Sequence, residues 1–294
     1  MSAMRLFCLL LCLPLLLAGC SAGTAGSDSS TNSLSSTDED LPEKQGVPDG
    51  YELVWGDEFD GDTLDESKWR IYDGELDSSA GGKVQLIANE QTVTVHDGLV
   101  TMQYFKTDDG TGWYGSDALK TTETMRFHCG YLEMRARLPD AVGVYSSFWT
   151  NGNEKDMFEI DIFESLGLAH RLTANVHKWP SAESGQQHSS LDGVVDGLSR
   201  RYFLPGSAFS DDFHTFALLW TEEKMTFYCD GEQYFAYELD EYFKDKYQCI
   251  ITGFNVGWKD RTPPDAALTY PIEMDIDYIR LYQQPGSTAL RLGK

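Results

Sequence analysis

The sequence predicts an all-β domain in which antiparallel strands form a sandwich. No long stretch of the 294 residues has helical periodicity. Instead, short runs rich in β-branched and aromatic residues recur between turn residues, and no helical segment is placed to connect two parallel strands. This combination is typical of two packed antiparallel sheets.

Six runs show the strand pattern most clearly: 92–96, 99–104, 131–138, 215–220, 225–229 and 276–282. The first two runs flank Asp97-Gly98, and the fifth ends at Asp230-Gly231. Both dipeptides favour the tight turns of β-hairpins, because Asp and Gly tolerate positive φ angles. The last run closes the domain, which we place at residues 48–284.

The N-terminus carries an export signal. Arg5 precedes an apolar run over residues 6–17 that is too short and too interrupted by proline for a membrane span. The run ends in Leu17-Ala18-Gly19-Cys20, which resembles a bacterial lipobox, where the cysteine is lipidated and becomes the new N-terminus. We therefore predict a lipoprotein signal peptide over residues 1–19 and lipidation of Cys20. A plain signal peptide is the alternative, and export follows from either.

Residues 20–47 form a predicted tether between the lipid and the domain. The stretch is rich in Ser, Thr, Gly and Asp and has almost nothing to bury, which predicts a disordered coil about 30 Å across. The expected location is extracellular or at the cell surface, with the lipid anchor in a bacterial membrane as the only membrane contact. Residues 285–294 are predicted to be a tail.

The chain is strongly acidic, with a net charge of −24. It has no basic footprint that could displace counterions, which excludes nucleic acid as a partner. The acidic surface mildly favours a neutral ligand, although a local cleft can carry a field of the opposite sign. Aromatic residues make up 13% of the chain, enough to fill a core and to leave some for a sugar-binding surface. We expect a monomer.

The cysteines do not predict a disulfide framework. After processing, Cys129, Cys229 and Cys249 remain, and an odd number argues against a set of bridges. A single disulfide, such as one between Cys229 and Cys249, remains an alternative in an oxidising compartment. No CxxC or HExxH spacing is present, so the sequence gives little support to a zinc site.

One acidic stretch contains the spacing E-x-D-x-x-E twice, in overlapping copies. The copy Glu154/Asp156/Glu159 starts just after Asn151-Gly152-Asn153, which we interpret as a turn followed by a solvated face. In the copy Glu159/Asp161/Glu164, the acids alternate with strand-forming apolar residues, so one face is acidic and the other apolar. The second copy is the stronger catalytic candidate.

Glu164 requires an irregular strand. Five positions after Glu159, its side chain would point to the apolar face of a regular strand, where a charge is costly. A β-bulge near Ile162–Phe163 would return Glu164 to the acidic face. The Cα atoms of Glu159 and Glu164 would then lie about 13 Å apart, with roughly 5–6 Å between the carboxyl groups. This separation is typical of a retaining glycosidase.

The roles follow from the crowding of three carboxyl groups, which predicts that one is protonated near neutral pH. We predict that Glu159 is the nucleophile and that Glu164 is the general acid and then the general base. Asp161, between them, is expected to orient Glu159 and tune its charge.

These residues resemble the bulged signature E-[ILV]-D-x-x-E of glycoside hydrolase family 16. Further stretches are similar to family motifs in the family's order: 54–69, 130–138, 213–221, 228–231 and 277–282. The resemblance implies a β-jelly-roll sandwich of two antiparallel sheets, of the concanavalin A-like lectin and glucanase type. It also implies a concave cleft, retaining hydrolysis of β-linked glucans or galactans, and no cofactor in catalysis.

The resemblance and the loop aromatics give seven candidate substrate-binding residues: Asn89, Trp113, Tyr145, Trp149, His177, Trp179 and Trp258. Tyr145 replaces a Trp that many members carry, so the resemblance does not determine which polysaccharide is the substrate. The alternative interpretation of Asn89 is a turn residue, and that of His177 is a structural histidine. Asp277 matches a family position that binds a structural calcium ion, with a plain surface Asp as the alternative. Glu273 and Asp275 extend its alternating acidic set, which is not expected to be catalytic, and His214 is expected to be structural.

The favoured activity is an endo-acting hydrolase of β-1,3-glucan of the laminarin kind. Agarase- or porphyranase-like cleavage of a β-galactan and hydrolysis of a mixed-linkage β-glucan are the alternatives within enzymes. The alternative outside enzymes is a tethered, lectin-like carbohydrate-binding domain. Loss of either catalytic Glu would favour that alternative, and both are present.

Overall fold

The computed structural model describes most of the chain after residue 45, within a compact unit that spans Lys44–Lys294. The described residues are 46–71, 74–77, 83–87, 89, 91–116, 118–139, 143–152, 155, 157–165, 168, 170–191, 200–256, 269–287 and 289–292. The predicted signal peptide, Cys20 and nearly all of the tether lie outside them. So do Glu154, Asp156 and Trp258.

The described residues form strands joined by turns, with two short 3-10 helices at Ala182–Ser184 and Glu241–Phe243. In chain order the strands are β1 Glu52–Asp57, β2 Arg70–Ile71, β3 Gly74–Asp77, β4 Lys83–Leu86, β5 Val93–His96, β6 Leu99–Lys106, β7 Trp113–Gly115, β8 Leu119–Lys120, β9 Met125–Arg126, β10 Gly130–Arg137, β11 Val144–Asn151, β12 Met157–Glu164, β13 Arg171–Trp179, β14 Arg201–Phe203, β15 His214–Trp220, β16 Lys224–Cys229, β17 Glu232–Glu238, β18 Cys249–Val256, β19 Ile272–Gln283 and β20 Arg291–Leu292.

The strands assemble into two large sheets. The larger sheet has the order β17-β16-β15-β10-β19-β6-β7-β4-β3, with β1 paired to β19 and β5 paired to β6. The smaller sheet has the order β14-β13-β12-β11-β18-β8-β2. Pairing in the smaller sheet is antiparallel throughout, whereas the larger sheet contains one parallel pair, β4 with β7.

Aromatic side chains fill the space between the two sheets. Phe163 of β12 packs on Phe216 of β15 with ring centroids 4.4 Å apart, and Tyr104 of β6 packs on Phe254 of β18 at 4.9 Å. All four side chains are buried in one core cluster. The predicted antiparallel sandwich is therefore confirmed.

The predicted hairpins are also confirmed. Asp97 and Gly98 join β5 to β6 with φ angles of 52° and 74°. Asp230 and Gly231 join β16 to β17 with φ angles of 50° and 75°. Two consecutive residues with positive φ match the twist of a two-residue hairpin.

The predicted tail takes part in the fold, since Arg291 and Leu292 of β20 pair with β9. Among the described residues, no helix is long and apolar enough to span a membrane.

Candidate active site

The site forms on β12, a central strand of the smaller sheet, and its geometry depends on one bulge. Asp161 pairs with Trp149 of β11, and Glu164 pairs with Ser147 of the same strand. Three steps along β12 thus match two steps along β11. The same mismatch occurs against β13, where the register shifts between Asp161 and Glu164. The predicted bulge at Ile162–Phe163 is confirmed.

The bulge separates acidic from apolar side chains along the strand. Phe158, Ile160, Ile162 and Phe163 are all fully buried in the core. Because two consecutive residues point into the core at the bulge, the strand regains its alternation one residue late. Glu164 therefore lies on the same face as Glu159 and Asp161, as predicted. We call these three side chains the catalytic row.

A tyrosine from the larger sheet supports the bulge. The hydroxyl of Tyr234, on β17, donates a hydrogen bond to the carbonyl oxygen of Ile162. Burial, followed by the charges of Cys229 and Asp161, raises the pKa of Tyr234, so the hydroxyl keeps the proton that it donates. No local pattern in the sequence marks Tyr234, because only the sandwich brings β17 over the bulge.

His177 joins the catalytic row from β13, as expected. Its Nε2 atom lies 3.3 Å from Oδ2 of Asp161 and 3.8 Å from Oε1 of Glu159. Burial by itself would lower the pKa of His177, but the hydrogen bond and charge of Asp161 and the charges of Glu159 and Glu164 outweigh it and raise the pKa. The ring therefore lies beside Asp161 and Glu159, and both carboxylates favour its protonated form.

Two asparagines border the same row. Asn151 Nδ2 lies 3.3 Å from Oε2 of Glu159 and donates to it. Asn175 Nδ2 lies 3.0 Å from Nε2 of His177, while its Oδ1 accepts from the backbone N–H groups of Val176 and Leu191. The interpretation of Asn151 as a turn residue is wrong, since Asn151 is the last residue of β11. Asn151 lies two residues after Trp149 on β11, so strand alternation predicts that both share the face of the catalytic row, which we call the cleft face.

Trp179 and His177 are part of an aromatic stack at the end of β13. Trp179 is 37% exposed and stacks on His188 with centroids 3.8 Å apart. His188 Nε2 also lies 3.0 Å from His177 Nδ1, and the pKa of His188 is lowered by burial and by the charge of His177. His188, which the sequence analysis missed, thus connects the exposed platform to the catalytic row.

The face of the smaller sheet that carries the catalytic row continues onto β11. Tyr145, Ser147, Trp149 and Asn151 alternate with the buried Val144, Ser146, Phe148 and Thr150. Trp149 is half-buried and packs on Ala118, Cys249 and Ile251. Trp149 and Tyr145 therefore share the cleft face with the catalytic row.

Two other predicted substrate residues are placed elsewhere. Trp113 is not an exposed loop aromatic, as expected from the sequence, but a residue of β7 in the larger sheet that is only 5% exposed. Its Nε1 donates to the hydroxyl of Tyr270 at 2.9 Å. Asn89 is exposed, and its Oδ1 accepts from the backbone N–H groups of Gln91 and Thr92. The side-chain oxygen of Asn89 thus makes the contacts expected of a turn residue.

The acidic set on β19 has structural partners. The carboxylate of Asp275 accepts from Thr101 at 2.7 Å and from Arg137, and Glu273 accepts from Gln103 at 2.6 Å. The carboxylate of Asp277 pairs with Arg135. Calcium needs oxygen ligands on all sides, but the guanidinium group of Arg135 occupies one side of the Asp277 carboxylate. In this arrangement the residues around Asp277 do not fit a calcium ion. Calcium binding at Asp277 stays a prediction that requires Arg135 to leave.

The remaining candidates have structural environments. His214 Nδ1 lies 2.7 Å from Oδ2 of Asp230 at the β16–β17 turn, in line with its expected structural role. Cys129, Cys229 and Cys249 are all free thiols. The Sγ of Cys249 lies 3.0 Å from the carbonyl oxygen of Asn151, which ties β18 to β11 beside the catalytic row.

Two arginines extend the cleft face away from Glu164. Arg171, Thr173, Asn175 and His177 alternate with core residues of β13, so they share one face. Thr173 pairs with Arg201 of β14. The Nε atoms of Arg171 and Arg201 are buried and have no hydrogen-bond partner among the described residues. Burial, and then the charge of Arg201, lower the pKa of Arg171.

The arrangement is suited to acid–base and nucleophilic chemistry on a bound sugar. Two carboxylates on one face, separated by a third, can attack one atom and protonate another. Glu159, Asp161 and His177 also place ligand atoms within 4.8 Å of one another, although carboxylate chemistry of this kind needs no metal.

Comparison with known proteins agrees with this geometry. Residues 54–284 match the family model described as "Beta-porphyranase A-D, GH16 domain". The chain is 26% identical to the glucan endo-1,3-beta-glucosidase A1 of Niallia circulans over 276 residues, which cover 80% of this chain and 38% of that protein. It is 25% identical to the beta-glucanase of Rhodothermus marinus over 260 residues, covering 79% and 85% of the two chains.

The fold has solved counterparts. The structure of an endo-beta-1,3-glucanase from Pyrococcus furiosus superposes with a TM-score of 0.63 at 26% identity, covering 79% of this chain and 94% of that one. This chain spans little more than a third of the Niallia protein, so the likeness concerns one domain of a longer relative.

Proposed function

The chain belongs to glycoside hydrolase family 16, and from this membership and the catalytic row we propose that it is a retaining, endo-acting hydrolase of a β-linked polysaccharide. The observation that carries the proposal is the bulge of β12, which places Glu164 on the face of Glu159 and Asp161. A regular strand would bury Glu164 in the core, and the surface that carries Glu159 and Asp161 would then have no general acid. The lectin-like alternative has no need for such a bulge.

We assign the chemistry as follows. A lone pair of the Glu159 carboxylate forms a bond to the anomeric carbon while the glycosidic C–O bond breaks, and Glu164 donates its proton to the departing oxygen. In the second half, Glu164 takes a proton from water, and the water oxygen displaces the Glu159 carboxylate. Two displacements at one carbon retain the β configuration.

The neighbouring side chains hold the nucleophile in place. Asn151 donates to the Glu159 carboxylate, and His177 lies against Asp161 and Glu159. These contacts restrict the rotation of Glu159 before the substrate arrives. We infer that Asp161 acts through His177 and Glu159 as a positioning residue.

We propose β-1,3-glucan as the first substrate. This follows from the similarity to proteins named as β-1,3-glucanases, at 26% identity in both sequence and structure. Trp149 and Trp179 stand on the two strands that flank β12 and offer ring faces for apolar sugar surfaces. Mixed-linkage β-glucan remains a related alternative.

A β-galactan that carries anionic groups is the second candidate. The matched family model is described by β-porphyranases, and Arg171 and Arg201 lie on the cleft face, where their buried Nε atoms have no hydrogen-bond partner among the described residues. In a chain of net charge −24, two such guanidinium groups form a local field that attracts an oxyanion.

One experiment separates these candidates. Release of reducing ends is measured on laminarin, mixed-linkage β-glucan, agarose and porphyran, with Glu159→Ala as the inactive reference. Arg171→Ala/Arg201→Ala should leave laminarin hydrolysis unchanged and abolish cleavage of the anionic galactan, whereas Arg137→Ala in the larger sheet should change neither. No activity of the wild type on any β-linked polysaccharide would sink the proposed function.

The stereochemistry is tested separately. NMR of the first product should show the β-anomer before mutarotation. An initial α-anomer would mean inversion, and it would contradict the assignment of Glu159 as a nucleophile.

We further propose that the enzyme acts as a monomer at the surface of a bacterial cell, held there by lipidated Cys20. The support is the sequence Leu17-Ala18-Gly19-Cys20 and the polar stretch that follows it. Cys20→Ala should release the protein from membranes and leave its specific activity unchanged. A variant that stays in the membrane fraction would contradict the lipid anchor.

A further inference from the structure

A second cluster of ligand-bearing side chains lies away from the catalytic row. His128 and Cys129 immediately precede β10 of the larger sheet, and Glu222 lies in the turn between β15 and β16. One ligand atom from each of the three side chains lies within 4.8 Å of the other two. His128 is buried, Cys129 is half-buried, and Glu222 is exposed to solvent, so an ion could enter from the Glu222 side.

The contacts of His128 orient its Nε2 atom toward Glu222. Its Nδ1 atom lies 2.8 Å from the carbonyl oxygen of Lys246, which can only accept, so Nδ1 carries a hydrogen. Its Nε2 atom lies 2.8 Å from Oε1 of Glu222. The hydrogen on Nδ1 leaves Nε2 as the metal-binding nitrogen of the ring, on the side of Glu222. An N–H group donated to a backbone carbonyl is also the usual support of a metal-binding histidine.

The backbone holds His128 and Cys129 in fixed positions. Gln283 Nε2 donates to both of their carbonyl oxygens, at 3.2 and 2.8 Å. Cys129 has a φ of 57°, an uncommon value for a residue other than glycine. The His128 ring packs edge-on against Trp220 at 4.9 Å. The two ligands are therefore ordered by contacts that do not involve the cluster itself.

We propose that His128 Nε2, Cys129 Sγ and a carboxylate oxygen of Glu222 bind one Zn²⁺ ion, with water as the fourth ligand. An imidazole, a thiolate and a carboxylate together suit zinc, whereas calcium and magnesium prefer oxygen ligands only. On binding, the thiol proton of Cys129 passes to the buffer. The ion would tie the start of β10 to the β15–β16 turn, and it has no part in the proposed hydrolysis.

The test measures metal binding directly. The full chain is stripped with a chelator, and Zn²⁺ is counted by atomic absorption after equilibrium dialysis. Co²⁺ is then added as a probe, because a thiolate ligand gives a charge-transfer band that oxygen and nitrogen ligands do not. We expect one Zn²⁺ per chain, a thiolate–cobalt band, and a loss of affinity of about 100-fold in Cys129→Ala.

Three variants make the result decisive. Glu222→Gln changes an exposed side chain and should lower zinc affinity at least about tenfold without affecting folding. Cys229→Ala removes a buried thiol of the same sheet and should keep both the metal and the band. His177→Ala removes the other possible cluster. The proposal is overturned if the wild type binds no stoichiometric zinc, if Cys129→Ala and Glu222→Gln bind zinc like the wild type, or if only His177→Ala loses it.

Discussion

The bulge of β12 can be tested through the one side chain that reaches it from the opposite sheet. Tyr234→Phe removes the hydroxyl that donates to the Ile162 carbonyl and changes nothing else in volume. A buried carbonyl left without a partner costs about 1–3 kcal/mol, which in a domain of this size corresponds to a fall in Tm of about 2–12 °C. Because Glu164 directly follows the bulge, a displacement near 1 Å would also lower kcat by about 100-fold.

Another tyrosine that contacts β12 provides a matched control. The hydroxyl of Tyr242 donates to the carbonyl oxygen of Met157 at 2.9 Å, at the opposite end of β12 from the bulge. Tyr242→Phe should therefore lower stability by a similar amount and leave kcat within about twofold. Urea unfolding followed by Trp fluorescence gives the stability of each variant, and initial rates on the preferred polysaccharide give kcat and KM.

The comparison between the two variants decides the matter. If Tyr234→Phe loses stability but keeps the kcat of Tyr242→Phe, the hydroxyl supports the fold and not the position of Glu164. If both its stability and its kcat equal those of the wild type, the hydrogen bond to the bulge contributes nothing, and the reasoning is refuted.

Three further outcomes are expected. With a substrate that has a good leaving group, azide should rescue Glu159→Ala to an α-glycosyl azide and Glu164→Ala to a β-glycosyl azide, and the reverse products would exchange their roles. Glu154→Ala should keep near-normal activity, and an inactive variant would move the catalytic set upstream. Because the pKa of His177 is raised in the folded protein, its protonation stabilises the fold below the unfolded pKa, and this contribution is lost as pH rises through the folded pKa. His177→Gln should remove that pH dependence of urea unfolding above the unfolded pKa of histidine, about 6.5, and an unchanged profile would contradict the assignment.

The catalytic row shows how far local sequence reasoning extends. The parity of Glu164 against Glu159 was enough to predict a bulge, because a charge on the apolar face of a strand is too costly to be tolerated. The hairpins at Asp97-Gly98 and Asp230-Gly231 were predictable for a similar reason, since few residue pairs tolerate two positive φ angles. Both inferences depend only on neighbours in the chain.

Trp113 shows where such reasoning fails. A Trp between turn residues is compatible with an exposed loop and with a buried strand, and only the partner strands distinguish the two. In the fold, Trp113 pairs with Lys106 of β6 and donates to Tyr270, more than 150 residues away in the chain. The burial of one aromatic ring thus depends on long-range pairing that its own segment does not encode.

Periodicity, parity and short motifs within single segments were sufficient to predict the strand class, the acidic strand, its bulge and the family resemblance. Only the folded sheets bring distant side chains to those segments: Tyr234 to the bulge, His188 to His177, and Glu222 to His128 and Cys129. These contacts join strands and turns that are far apart in the chain. Their formation depends on sheet order and on the packing of one sheet over the other, and no local pattern specifies either.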